Sequence, residues 1–206
     1  MLVIGLTGGI GMGKSAAAER FAAHGIPVFN ADLCVHELYA GKAVSAIEAA
    51  FPGATREGKV DRKLLSEKIA GSPERLRRLE EIVHPMVVEA EIDFLREQEK
   101  EDARIAVLEI PLLFETGAEE RVDQTVVLSA PTEVQRARVL ARPGMSVDKL
   151  EHLLARQLSD AERRAKADFV VESGTSLEDM HREIDKLVES LQDREGSVMD
   201  RLRSKR

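Results

Sequence analysis

One octapeptide near the start of the chain restricts its fold more than any other feature. Gly8–Gly9–Ile10–Gly11–Met12–Gly13–Lys14–Ser15 fits the pattern G-x-x-x-x-G-K-[ST] without a mismatch. The run before it, Leu2 to Leu6, is apolar without polar alternation, which predicts a parallel strand buried on both faces. After it the sequence predicts a helix from about Lys14 to Ala23, with Phe21 and Ala22 toward the core and Gly25 ending it. Ile26–Pro27–Val28–Phe29 reads as a second short strand, with Pro27 tolerated near its start. Strand, glycine loop, helix and strand in succession make a βαβ unit, which is right-handed by default.

The loop has a chemical reading. A triphosphate is densely anionic, and successive backbone N–H groups of a glycine-rich turn can wrap it where side chains would obstruct the approach. The helix beginning near Lys14 adds the positive end of its dipole. Lys14 supplies a point charge to the outer phosphates and Ser15 a hydroxyl to Mg²⁺. Asn30–Ala31–Asp32 follows the second strand. Ligands of open parallel sheets bind at the carboxyl ends of strands, so Asp32 is placed either to accept a hydroxyl proton or simply to cap the next helix. Asn30 cannot be the base, because an amide does not titrate.

The remaining chain extends this α/β pattern. From Cys34 to about Lys100 it reads as helical, with no evident strand. Ser72–Pro73–Glu74 opens a helix, and Pro85 is expected to interrupt it at His84. Ile105–Ile110, Thr125–Leu128 and Asp168–Val171 supply strands three to five. Helices are predicted after Thr132, which can cap the first, from Val147 to about Lys166 behind Ser146, and from Leu177 to Gln192. In the last of these Leu177, Met180, Ile184, Leu187, Val188 and Leu191 share a face. Arg138 and Arg142, four apart, are expected on one face of the first of these helices. With Arg136, Arg156, Arg163, Arg164 and Lys166 they form either a lid closing over phosphates or a solvated surface laced to Glu133, Glu151 and Glu162. The charged tail from Asp193 is expected to fray.

Composition narrows the partners. At 206 residues and 43% hydrophobic, the chain can bury the core of one α/β domain with inserts. A net charge of −7, no Trp and a single Tyr argue against a nucleic-acid partner. The lone Cys34 allows no internal disulfide, and the five histidines show no zinc spacing. The amino terminus has no basic leader, and the apolar stretch Ile105–Phe114 is too short to span a bilayer. These features point to a soluble cytoplasmic protein without a membrane partner, a monomer or small homo-oligomer.

The residues then resemble a known family. Leu6 to Ser15, followed by Asn30–Ala31–Asp32, is similar to the opening of dephospho-coenzyme A kinases. Val83–His84–Pro85 resembles their His-Pro element, and Ile110–Pro111–Leu112–Leu113–Phe114–Glu115 their proline-leucine-leucine segment. Arg138 to Arg142, Gln157 and Ala167–Asp168 resemble their lid and the entry to the last strand. The resemblance covers residues 2 to about 175 and implies phosphorylation of the ribose 3′-hydroxyl of dephospho-CoA by ATP with Mg²⁺, the last step of coenzyme A synthesis. It implies a three-layer P-loop kinase core with a five-stranded parallel sheet, formed by residues 1–33 and 101–192. A helical substrate-binding insert is expected over 34–100, a lid at about 138–166 and a charged tail over 193–206. The catalytic set so expected is Asp32 as base with Lys14 and Arg138. Gly9, Gly11, Met12, Gly13, Lys14, Ser15, Ala16 and Arg142 would contact ATP, and Ser15 the metal. Asp32, His84, Leu113 and Glu115 would border the acceptor. The chain departs from the family at Asn30, where Asp is usual, at Ala16, where Thr is common, and at Glu172–Ser173–Gly174, where Asn often precedes the Gly. The rival class, a GTPase-like switch, requires a guanine-reading Asn-Lys-x-Asp motif, and none is present.

Overall fold

The computed structural model describes residues 1–204; the end of the tail, Lys205 and Arg206, lies outside the described residues. In chain order the first elements are β1 (Leu2–Gly8), α1 (Lys14–Ala23), β2 (Val28–Asn30), α2 (Ala31–Tyr39) and α3 (Val44–Ala50). Next come β3 (Thr55–Arg56), β4 (Lys59–Val60), α4 (Arg62–Ile69), α5 (Pro73–Lys100) and β5 (Ile105–Glu109). A 3₁₀ turn (Ala118–Arg121) leads to β6 (Gln124–Ser129), α6 (Thr132–Leu140), α7 (Val147–Leu154) and α8 (Asp160–Lys166). The described chain closes with β7 (Phe169–Glu172), α9 (Leu177–Leu191) and α10 (Val198–Ser204). Two compact units result: Met1–Phe29 with the chain from Leu95 onward, and Asn30–Phe94.

The first unit is built on a five-stranded sheet in the order β2-β5-β1-β6-β7. Its central strand β1 pairs in parallel with β5 and β6, and β6 pairs in parallel with β7. All seven residues of β1 are buried, which explains its unbroken apolar sequence. Leu2, Ile4 and Leu6 point to one side with Val107, Val126 and Leu128, and α1 and α9 cover them with Ala17, Phe21, Ile184 and Leu191. On α1 the core-facing positions are Ala17, Ala18 and Phe21, whereas Ala22 is exposed, contrary to expectation, because the buried stripe runs at i, i+1 and i+4. Leu177 is likewise 56% exposed, because it opens α9 before the buried stripe starts at Met180.

The second unit departs from the sequence reading in two places. Residues 55–60 form a small antiparallel hairpin, Thr55 facing Val60, although no strand is expected there. Glu57 and Gly58 both have positive φ, the conformation of a two-residue hairpin turn, and the Glu48 carboxylate accepts N–H bonds from Gly53 and Thr55 beside it. Helix α5 runs unbroken through Pro85 for 28 residues. Leu79, Val83, Val87, Glu91 and Leu95 are all buried at four-residue spacing, so one buried stripe continues past the proline. Proline costs about 3 kcal/mol inside a helix, and burial of several aliphatic side chains at roughly 1.5–3 kcal/mol each outweighs it.

Residues 132–166 and the tail also differ. Thr132 is the first helical residue of α6 and makes no side-chain cap. Ser146 caps α7 as expected, but the helix stops at Leu154, and α8 starts anew behind a capping box formed by Ser159 and Glu162. The tail folds up to Ser204. Asp123 accepts N–H bonds from Val3 at 2.9 Å, Ser197 at 2.7 Å and Val198 at 3.0 Å, and Val198 and Met199 are buried. Among the described residues no helix is long and apolar enough to cross a membrane.

Helices α1 and α9 are tied by Asp185, which accepts from Arg20 at 2.6 and 2.7 Å and lies 2.7 Å from His24 Nε2. The Arg20 hydrogen bonds, followed by that of His24, hold the Asp185 carboxyl far below its ordinary range. A depressed folded-state value stabilises the fold above the unfolded value, near 4, and that stabilisation is lost as pH falls further toward the folded value. Asp185→Asn is therefore expected to flatten the fall of Tm below about pH 4, checked by thermal melts across pH; an unchanged acid limb would assign the sensitivity elsewhere.

Candidate active site

Strand β1 delivers the phosphate loop at the carboxyl edge of the sheet. Gly11 and Gly13 have φ of 78° and 85°, and Gly13 serves as the left-handed N-cap of α1. A Cβ on Gly11 would lie 2.6 Å from Val139 Cγ2, so both backbone conformation and space demand glycine there. Met12 is completely buried and anchors the middle of the loop in the core, and its N–H bonds the Gly9 carbonyl at 3.2 Å. Lys14 Nζ bonds the carbonyls of Gly8 at 2.9 Å and Gly9 at 3.4 Å. Ser15 is exposed on the first turn of α1, and Ala16 packs against the core.

A polar scaffold surrounds the first half of the loop. Gln157 Oε1 accepts from Ile10 N–H at 3.1 Å, and Gln135 Nε2 donates to Ile10 C=O at 2.9 Å. A Cβ on Gly9 would lie 2.7 Å from Arg163 Nη2. The Arg163 guanidinium donates to Leu158 C=O, and Glu115 Oε1 accepts from Leu158 N–H at 2.8 Å. Burial lowers the Arg163 value, opposed by the charges of Asp160, Glu115 and Glu162.

The positions of the expected side chains are mixed. Arg138 is exposed on α6 and donates to Ser173 C=O at 2.6 Å. Arg142 lies beyond the helix, whose C-cap is Ala141, so the two arginines do not share a helix face. Much of the remaining basic character is laced to acids: Arg136 to Glu151, Arg164 to Glu172 and Lys166 to Glu119. Leu113 is fully buried, with its Cδ atoms beside Gly5, so its side chain supports the segment after β5. Glu115 engages the α7–α8 connection.

In the second unit Asp32 is exposed in the first turn of α2, two residues past β2. The capping role belongs to Asn30, whose side chain accepts from Leu33 N–H at 2.8 Å. His84 is an exposed residue inside α5, not a junction. Cys34 is buried, and burial, then the charges of Glu37 and Glu91, raises its thiol pKa.

Sequence reading did not single out Gln135 or the buried carboxylate of Glu109, which ends β5 beside Leu6 of β1. A charged residue closing an apolar strand was the available signal for Glu109. Gln135 had none, because its partner is 125 residues away.

A glycine loop between the central strand of a parallel sheet and a helix defines the class: a P-loop kinase. The family model for dephospho-CoA kinase matches residues 2–179, and the chain belongs to that family. It is 52% identical over 191 residues to a dephospho-CoA kinase of Brucella melitensis, covering 93% of this chain and 96% of the relative. Identity to a dephospho-CoA kinase of Rhodopseudomonas palustris (strain HaA2) is 52% over 190 residues, 92% of this chain and 96% of that one. A crystal structure of a Thermus thermophilus protein superposes with TM-score 0.80 at 35% identity, covering 92% of this chain and 97% of that one. A dephospho-CoA kinase from Campylobacter jejuni gives TM-score 0.65 at 25% identity, covering 92% and 96%.

Gly11→Ala tests the loop geometry against Gly25→Ala, where φ is also positive at 73° but nothing lies within 4 Å of the added Cβ. Gly25→Ala is expected to cost about 1–2 kcal/mol of stability with ATP affinity kept. Gly11→Ala should cost more and abolish ATP binding, read by melts and calorimetry; equal behaviour of the two would show that the Val139 contact yields.

Proposed function

We propose that the chain transfers the γ-phosphoryl group of ATP to the ribose 3′-hydroxyl of dephospho-CoA, giving coenzyme A and ADP. The observation that carries this reading is the shaped loop at the end of β1 in a chain of the dephospho-CoA kinase family. Gly11 to Ala16 offer their backbone N–H groups to the phosphates, Gly9 gives clearance, and Lys14 transfers its charge from the Gly8 and Gly9 carbonyls to the outer phosphate oxygens. Arg138 and Arg142 stabilise charge from the lid, residues 138–166. Residues 34–100 supply the acceptor side, with His84 at its border.

Asp32 is the base. The acceptor hydroxyl forms a bond to the γ-phosphorus as the bond to the ADP oxygen breaks, and its proton passes to the Asp32 carboxylate. Asn30 frees Asp32 for this by taking the cap. Asp32 is then the one carboxylate at the end of β2.

Magnesium fits the donor set present. Ser15 presents an exposed hydroxyl, a hard oxygen ligand, and Mg²⁺ keeps several waters and phosphate oxygens in its shell. When bound it neutralises charge on the phosphate oxygens.

One incubation with Mg²⁺-ATP and dephospho-CoA, read by mass spectrometry, is expected to yield coenzyme A and ADP in equal amounts. ADP without coenzyme A would overturn the acceptor assignment. Asp32→Asn is expected to lower kcat by roughly 10²–10⁴ with ATP affinity retained; near-normal kcat would remove Asp32 from the chemistry. Lys14→Ala should abolish transfer, and normal turnover in that variant would sink the loop assignment.

A further inference from the structure

Ile10 is the residue of the phosphate loop whose two backbone polar groups are both taken by side chains from distant parts of the chain. Its N–H goes to Gln157, 147 residues on, and its C=O receives Gln135, 125 residues on. Gln135 is 6% exposed and Arg163, packed against Gly9, is 3% exposed, while Gln157 is half-buried. Within the loop itself the backbone bond is Met12 N–H to Gly9 C=O at 3.2 Å. Glycines at 8, 9 and 11 give this stretch little conformational preference of its own. Its path must be imposed from outside.

We infer that Gln135, Gln157 and Arg163 are positioning residues for phosphoryl transfer: they hold the first half of the phosphate loop in its phosphate-accepting shape and couple that shape to the joint between α7 and α8. The Gln157 bond draws the Ile10 N–H away from the cradle, so the phosphate donors begin at Gly11. Gln157 sits in that joint, and its neighbour Leu158 is held on both sides, its N–H by Glu115 and its C=O by Arg163. A displacement of the joint would release Ile10, so the loop and the segment following α6 change together. Three of the buried side-chain atoms without a hydrogen-bond partner, Glu115 Oε2, Asp160 Oδ1 and Arg163 Nε, lie in this cluster.

The inference rests on the loop being the ATP site, and the test separates the two. Gln135→Met and Gln157→Met keep side-chain volume and remove the bonds to Ile10. Affinity for Mg²⁺-ATP is measured by calorimetry without acceptor, and KM for ATP and for dephospho-CoA by steady-state kinetics. Each single variant is expected to weaken ATP by about tenfold, the scale of one lost hydrogen bond in a preorganised site, with KM for dephospho-CoA unchanged. Because both glutamines hold one residue, the double variant should lose clearly less than the product of the singles. ATP affinity within twofold of wild type in both singles would overturn the inference. So would a fully multiplicative double variant, or equal weakening of both substrates, which marks general destabilisation. Wild-type protein that binds ATP yet forms no coenzyme A would defeat the proposed function, while the calorimetric comparison would still decide the inference.

Discussion

Burial of β1 on both of its faces is the constraint from which the site follows. The strand lies between β5 and β6, so neither its register nor its direction can change without exposing apolar surface on both sides of the sheet. The loop consequently leaves the sheet at one fixed point. Gly5, inside the strand, extends the effect: a Cβ there would meet Leu113 at 3.1 Å and Val122 at 3.2 Å. Glycine in a strand interior weakens it but permits close approach, and here it lets the segment after β5 lie directly on β1. That segment carries Glu115 to the α7–α8 connection. Central strand, loop and α7–α8 connection are thereby linked through one small residue.

The parts of this arrangement that could be read in the sequence are those coded over short distances. The loop is eight contiguous residues, and β1, α1 and α9 are regular patterns, so chain order alone exposes them. Two features were equally local but overlooked. Glu57–Gly58 is a two-residue turn between short runs, and Ser159-x-x-Glu162 is a capping box that divides what reads as one helix from 147 to 166. Pro85 is different, since the local rule against proline in a helix is sound and tertiary burial overrides it. The bonds of Gln135 and Gln157 to Ile10 leave no local trace whatever, because glutamine has many surface uses and the partner is a backbone atom.

The basic residues show why charge alone is a weak guide to a phosphate site. Arg136 and Arg164 pair with carboxylates, Lys166 pairs with Glu119 and lies over the Phe114 ring, and Arg163 is buried beneath the loop. Exposed pairs of this kind contribute about 0–1 kcal/mol each, so they shape α6 to α8 more by orientation than by energy. A cation used in this way is unavailable to a nucleotide unless its partner is surrendered. Arg138 already spends one amino group on Ser173 C=O, which fixes its stem against the end of β7. Arg142 is placed otherwise, exposed in the turn after α6, ahead of Pro143 and of Gly144 with φ of 75°. Its backbone is nonetheless tied, its N–H to Val139 C=O at 3.1 Å and its C=O to Met145 N–H at 3.2 Å, and Val139 in turn closes on Gly11. The two arginines are therefore held differently: Arg138 is tied by its side chain to the end of β7, whereas Arg142 stands in a turn outside the helix.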